Sequence, residues 1–178
     1  MSRFNFLFVL LFSYLLAENQ WINISSESID NPDIQIISSN ENAVELNFTL
    51  DDFYLESIII DNQEYFKVQL PGGASLLEEG SPDLPKYSKS IIIPDEKKMK
   101  VEVINESYIE YQNILIAPSK GNLSRLIDPQ EISYEFSKTY NENIFFPENN
   151  VQLNIPYILR DFRGQVIQFN PIQYNPIT

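Results

Sequence analysis

The side chains that usually carry enzymatic chemistry are thin in this sequence. It holds no Cys and no His. That removes thiolate nucleophiles, Ser-His-Asp triads, disulfides and Cys/His zinc sites. Chemistry would have to come from carboxylates, hydroxyls, Lys and Arg. Two carboxylate pairs are adjacent, Asp51-Asp52 and Glu78-Glu79. A glycosidase needs two acids facing each other across its substrate, whereas neighbours in an extended segment point to opposite sides. Neither pair makes such a site, and both read as solvated turn charges. Gly72-Gly73 lacks the helix and Lys that follow in a phosphate-binding loop, and reads as a turn. The many Tyr and Phe residues could form a sugar-stacking platform, although in a strand-rich chain aromatics more often fill the core. No catalytic residue, metal or cofactor is expected.

Arginine is more informative because it is scarce. Past residue 17 it occurs only at Arg125, Arg160 and Arg163. Arg160 and Arg163 bracket Asp161, which suggests a structural ion pair. Arg125 lies in PSKGNLSRLIDPQEIS, residues 118–133, a stretch with no strand pattern. An Arg on an exposed loop presents five donors in a planar fork that can grip a carboxylate. On spacing alone, a solvated surface Arg is the plainer reading.

The elements that must position these residues read as strands. Val44, Leu46, Phe48 and Leu50 alternate with polar residues, a half-buried strand pattern. Tyr54 to Ile60 and Tyr65 to Leu70 flank the turn residues Asp61-Asn62-Gln63. Ile34 to Ile37, Ile91 to Ile93, Met99 to Val103, Tyr108 to Ala117 and Gln165 to Phe169 are further expected strands. Helical periodicity is hard to find, and eleven prolines divide the chain. Strand runs recurring every ~8–12 residues predict an all-β, antiparallel β-sandwich. Its expected core is Val44, Leu46, Phe48, Ile92, Val101, Val103, Ile114, Ile116, Val166 and Phe169. Two strandless gaps, residues 71–86 and 118–133, are long for a compact domain, and such loops are commonly functional.

The chain has 178 residues, 43% hydrophobic and 13% aromatic, a composition that excludes a disordered chain. Its net charge of −13 argues against nucleic-acid binding, which needs a basic surface. Arg3, the apolar run from Phe6 and the small residue Ala17 read as a signal peptide over residues 1–17. As a helix, Phe6 to Ala17 would be ~18 Å long, too short for a ~30 Å hydrocarbon core, so no stable membrane span is expected. Residues 18–42 read as a polar lead-in with at most one short strand. Residues 43–178 are expected to form the sandwich, incomplete at its C-terminal end, where a returning strand would be missing.

Three stretches together carry a family likeness: EEGSPDLPKYSKSIIIP (Glu78 to Pro94), ILIAPSKGNLSR (Ile114 to Arg125) and YILRDFRGQVIQFNPIQYNPIT (Tyr157 to Thr178). In this order and at these separations they resemble the N-terminal propeptide of gingipains, secreted cysteine endopeptidases of the Bacteroidetes (peptidase family C25). The likeness runs from about Val44 to the end. It implies a non-catalytic β-sandwich prodomain that keeps its peptidase latent and assists its folding. The partner would be the cognate catalytic domain, in cis or held non-covalently after cleavage. It also implies export across the inner membrane and passage through type IX secretion. In arginine-specific members a basic loop residue fills the peptidase S1 pocket. The matching position is Arg125, within a loop containing Lys120, Gly121, Asn122, Leu123, Ser124 and Leu126. A free carbohydrate- or surface-binding sandwich module is the alternative reading.

Overall fold

The computed structural model describes residues 20–24 and 33–178; the expected signal peptide lies outside them. The described residues form ten strands: β1 (Gln20–Asn23), β2 (Asp33–Ser39), β3 (Val44–Thr49), β4 (Asp52–Ile60), β5 (Gln63–Gln69), β6 (Ala74–Ser75), β7 (Pro85–Ile92), β8 (Val151–Leu153), β9 (Tyr157–Leu159) and β10 (Phe162–Phe169). Helix among them is limited to two short 3-10 turns, Pro129–Glu131 and Lys138–Asn141. Every strand pairs antiparallel. One sheet runs β1-β4-β5, a second β6-β7-β10-β8 with β9 also on β10, and β2-β3 is a separate hairpin.

The β4–β5 hairpin turns at Asp61 and Asn62, whose φ angles are 49° and 64°. Two successive positive φ values are what a two-residue type I′ hairpin turn requires, and Asn and Asp tolerate them best among side-chain-bearing residues. Alternation then directs Phe53 and Leu55 of β4 and Val68 of β5 inward. With Leu70, Leu84 and Ile116 they make the central cluster. Each such side chain contributes roughly 1.5–3 kcal/mol when fully buried. Phe48 of β3 stacks on Phe169 of β10 at 5.0 Å between ring centroids, which ties the β2–β3 hairpin to the large sheet. The hairpin's tip is closed by Asn40, whose side-chain oxygen accepts from the backbone N–H groups of Asn42 and Ala43.

Several expectations need correction. Met99 to Val103 alternates correctly yet forms no strand, and Val101 and Val103 are 40% and 48% exposed. Alternation is necessary for a half-buried strand, but a strand also needs a neighbour, and among the described residues this segment has none. Ile92 lies at the end of β7 and is 69% exposed. Of the stretch from Tyr108 to Ala117, only a parallel bridge between Ile116 and Phe66 survives. The polar lead-in holds two strands, with β1 pairing β4 and β2 pairing β3. The gap at 71–86 contains β6 and the start of β7. The expected Arg160–Asp161–Arg163 ion pair does not form. Arg163 donates to the carbonyls of Pro94, Asp95 and Lys97, and Arg160 occupies the β9–β10 turn with φ 54°.

The bridge at Ile116 anchors the segment that leads into the second long loop. Phe66 N–H donates to Leu115 O at 2.7 Å and Ala117 N–H to Phe66 O at 2.8 Å. On the opposite side, Asp83 N–H donates to Ala117 O and Ser119 N–H to Ser81 O, both at 2.8 Å. Residues 115–119 are therefore held between β5 and the approach to β7. That fixes where the loop begins.

Candidate functional loop

The loop from Ser119 to Ser137 is closed by a single glycine. Gly80 N–H donates to Ser119 O and Ser137 N–H donates to Gly80 O, each at 2.9 Å. Both ends of the loop thus meet on one residue of another segment. Gly80 has φ +75°, and a Cβ there would stand 3.2 Å from both Cβ and N of Ser137. Only glycine meets both demands without strain. Beside it, Ser81 and Ser119 are buried, and Ser81 Oγ donates to Glu78 Oε1 at 3.1 Å. The Glu78-Glu79 pair is therefore scaffolding: Glu78 holds Ser81, and the Glu79 stem covers Gly121, where a Cβ would meet it at 3.0 Å.

Above this base the loop is strapped by Lys120. Its ammonium donates to Pro129 O at 2.7 Å and sits 4.1 Å from the Tyr134 ring centroid, close enough for a cation–π attraction. The returning arm is ordered by its own caps. Asp128 Oδ1 accepts from Gln130 N–H at 2.9 Å at the start of the Pro129–Glu131 turn, and Ser137 Oγ accepts from Thr139 N–H. Phe136 then packs between Tyr65 and Tyr140, and Tyr140 OH donates to Ile116 O at 2.8 Å. Burial, and secondarily the neighbouring Tyr174, Tyr65 and Asp83, push the Tyr140 phenol well above its ordinary value.

At the far end, Ser124 to Ile127 form a tight turn closed by Ile127 N–H donating to Ser124 O at 3.0 Å. Arg125 and Leu126 are its central pair. Arg125 is exposed, and Leu126 is 96% exposed. Among the described residues the only salt bridge joins Lys138 and Glu142, and no side-chain hydrogen bond involves Arg125. Asn122 and Ser124 are also exposed, while Gly121 and Leu123 are half-buried. Lys120, by contrast, is committed to the loop's own structure. The expected loop residues thus divide into a buttressed base and an open tip. Gly80, Ser81, Tyr134 and Ser137 were not singled out from sequence as partners of this loop. Gly80 and Ser81 fall in the strandless gap at residues 71–86.

The other chemical candidates do not assemble. Asp52 is buried in β4 and Asp51 half-buried, so this pair is not the solvated turn charge expected. Burial pushes the Asp83 carboxyl up, against the opposing pull of Lys67 and a hydrogen bond from Ser75. Glu56 lines the same open cavity as Asp83, but its carboxylate accepts from Gln69 Nε2 at 2.7 Å. Gly72-Gly73 is a turn as expected, with Gly73 N–H donating to Leu70 O at 3.0 Å. No cluster of metal-ligating side chains occurs among the described residues. No helix among them is long and apolar enough to cross a membrane.

Comparison with known proteins agrees with this architecture. The family Propeptide_C25 matches residues 25–178. Gingipain R1 of Porphyromonas gingivalis is 40% identical over 159 residues, covering 83% of this chain and 15% of that protein. Gingipain R2 of the same species is 37% identical over 148 residues, covering 83% of this chain and 20% of that protein. The chain therefore spans a fifth or less of these curated relatives. Among solved structures, the complex of Porphyromonas gingivalis RgpB pro- and mature domains matches with a TM-score of 0.79 at 37% identity, over 83% of this chain and 78% of that one. A structure described as giving insight into the zymogenic latency of gingipain K shares the fold, with a TM-score of 0.66 at 19% identity over 90% of each chain.

Proposed function

This chain belongs to the C25 propeptide family, the prodomains of gingipain-type peptidases, and from that premise we propose that it holds a cysteine endopeptidase latent by placing Arg125 in the peptidase's S1 pocket. The chain itself has no Cys or His, so it cannot supply a thiolate–imidazole pair, and the catalytic domain lies elsewhere. The observation that carries the proposal is the tip of the loop: an exposed arginine with no ion pair among the described residues, on a turn whose base is tied at both ends to Gly80. An Arg fork presented in this way can enter a deep pocket and form a bidentate, charge-assisted pair with a carboxylate at its floor. Because the loop is already ordered, little conformational entropy is lost on insertion.

The test is titration of the cognate catalytic domain with wild-type and Arg125→Ala chains, following cleavage of a small arginine substrate. Arg125→Ala should lose about 2–4 kcal/mol of binding, which is about 30- to 1,000-fold in the inhibition constant. Arg125→Lys should fall between, since it keeps the charge but not the fork. Equal inhibition by Arg125→Ala and wild type would move latency to steric cover by another face.

Export follows from the same reading. The chain acts as part of a secreted precursor that enters the periplasm on residues 1–17 and leaves by type IX secretion. N-terminal sequencing of the exported protein should begin near Glu18, and an intact Met1 on exported material would overturn this.

A further inference from the structure

An arginine offered to an arginine-specific peptidase invites cleavage after it. The thiolate would add to the Arg125 carbonyl carbon and the bond to Leu126 nitrogen would break. That nitrogen would take a proton and leave as an amine, and water would then release the Arg125 carboxylate and return the thiol. We propose that the Ser124–Ile127 turn blocks this sequence and so makes the loop an inhibitor rather than a substrate. The inference rests on the reading of Arg125 as the pocket-filling side chain.

The Arg125–Leu126 bond is the central peptide of the turn, and both hydrogen bonds that define the turn span it. Ile127 N–H donates to Ser124 O at 3.0 Å, and Leu126 N–H donates to Ser124 Oγ at 3.4 Å. Neither Arg125 nor Leu126 has a positive φ, which together with the closing hydrogen bond gives a type I turn, with both residues away from the extended region. Attack on a peptide carbonyl in a protease cleft needs the chain extended on both sides of the bond. Here extension would break both hydrogen bonds. The two arms cannot simply spread either, because Lys120 is fastened across them to Pro129 O.

The same contacts act on the leaving group. If the bond were cut, the Ile127–Ser124 hydrogen bond would keep the new Leu126 amine beside the acyl carbon, where rejoining competes with hydrolysis. A reactant held in place by its own fold has a very high effective concentration, and misplacement by about 1 Å costs about 100-fold in rate. Ser124 is thus a positioning residue, and Ile127 contributes through its backbone N–H.

The experiment incubates the 178-residue chain with the mature catalytic domain of gingipain R2, following inhibition and, by mass spectrometry, scission at Arg125–Leu126. Ile127→Pro removes the donor and pushes Leu126 toward the extended region, whereas Ile127→Val keeps the N–H. A linear peptide of residues 120–130 carries the same residue types without the turn. Wild type and Ile127→Val should inhibit and stay intact. Ile127→Pro should inhibit at first and then be cut, and the peptide should be cut, both about 100-fold faster than wild type. Wild type cut as fast as the peptide overturns the proposal. So does a peptide as resistant as wild type, since protection would then lie in residue types. A cut peptide beside an uncut, inhibiting Ile127→Pro chain also overturns it, since the strap rather than the turn would protect. If Ile127→Pro fails to inhibit, the peptide-to-wild-type ratio decides. Arg125→Ala separates the two readings: undiminished inhibition by that variant removes the pocket reading itself, whatever the cleavage pattern.

Discussion

Lys120 and Arg125 carry the same charge five residues apart, and their surroundings assign them different work. The Lys120 ammonium is used twice within the loop, by Pro129 O and by the Tyr134 ring. Arg125 stands free at the tip among the described residues. Lys120→Ala should therefore weaken inhibition through the loop's order rather than through the pocket. The lost contacts correspond to about 1–2 kcal/mol, or about 5- to 30-fold in inhibition constant. Hydrogen exchange separates the two effects. Lys120→Ala should raise the exchange of amides from Gly121 to Gln130 in the free chain, while Arg125→Ala should leave it unchanged. Equal exchange in Lys120→Ala and wild type would show that the strap does not order the loop.

At the scale of elements, the loop depends on segments far from it in sequence. Gly80→Ala would force a side chain into positive φ against Ser137, at a cost of about 1–3 kcal/mol. Urea denaturation should show that loss, and inhibition should fall even though Arg125 is intact. Unchanged stability would mean the loop base tolerates a shift of the Gly80 peptide. This keystone also marks the limit of what the sequence discloses. Strand β3 is legible because its side chains alternate over six residues, and β4, β5 and β10 because they are runs of seven to nine residues rich in aromatic and β-branched side chains. The loop is legible because that pattern stops at Pro118. β1, β6, β8 and β9 have two to four residues each, too few to express a period. Val101 and Val103 show the opposite failure, a correct period with no neighbouring strand. Arg125 was found by scarcity and by likeness to a family motif. The tie between Gly80 and the loop ends is a contact across about 40 to 57 residues, and no local pattern encodes it.

For the molecule as a whole, the absence of His removes the side chain that ordinarily titrates between pH 5 and 8. The large charge changes fall at the extremes, and on the alkaline side they are carried by half-buried phenols. Burial, and secondarily Asp52, raises Tyr87 to about 12, where its hydroxyl also donates to Pro71 O. Burial raises Tyr140 and Tyr174 as well. In each case the fold keeps a proton that the unfolded chain releases near pH 10. Above that pH the folded state binds more protons than the unfolded one, so stability falls as pH rises. For Tyr87 the contribution is fully present below pH 10 and is lost progressively toward pH 12; for Tyr140 and Tyr174 it is lost as pH rises above 10. Tyr140 is the informative member because its hydroxyl links the loop's returning arm to Ile116 O. Tyr140→Phe should cost about 1 kcal/mol at neutral pH through that hydrogen bond. It should also lose less stability than wild type between pH 10 and 11, because one ionising group is gone. Thermal midpoints measured across that interval check both halves. Parallel decline in wild type and Tyr140→Phe would mean that the phenol ionises in the folded state without penalty, and the anchor of the loop's returning arm would have to be sought in the Ser137–Gly80 backbone hydrogen bond instead.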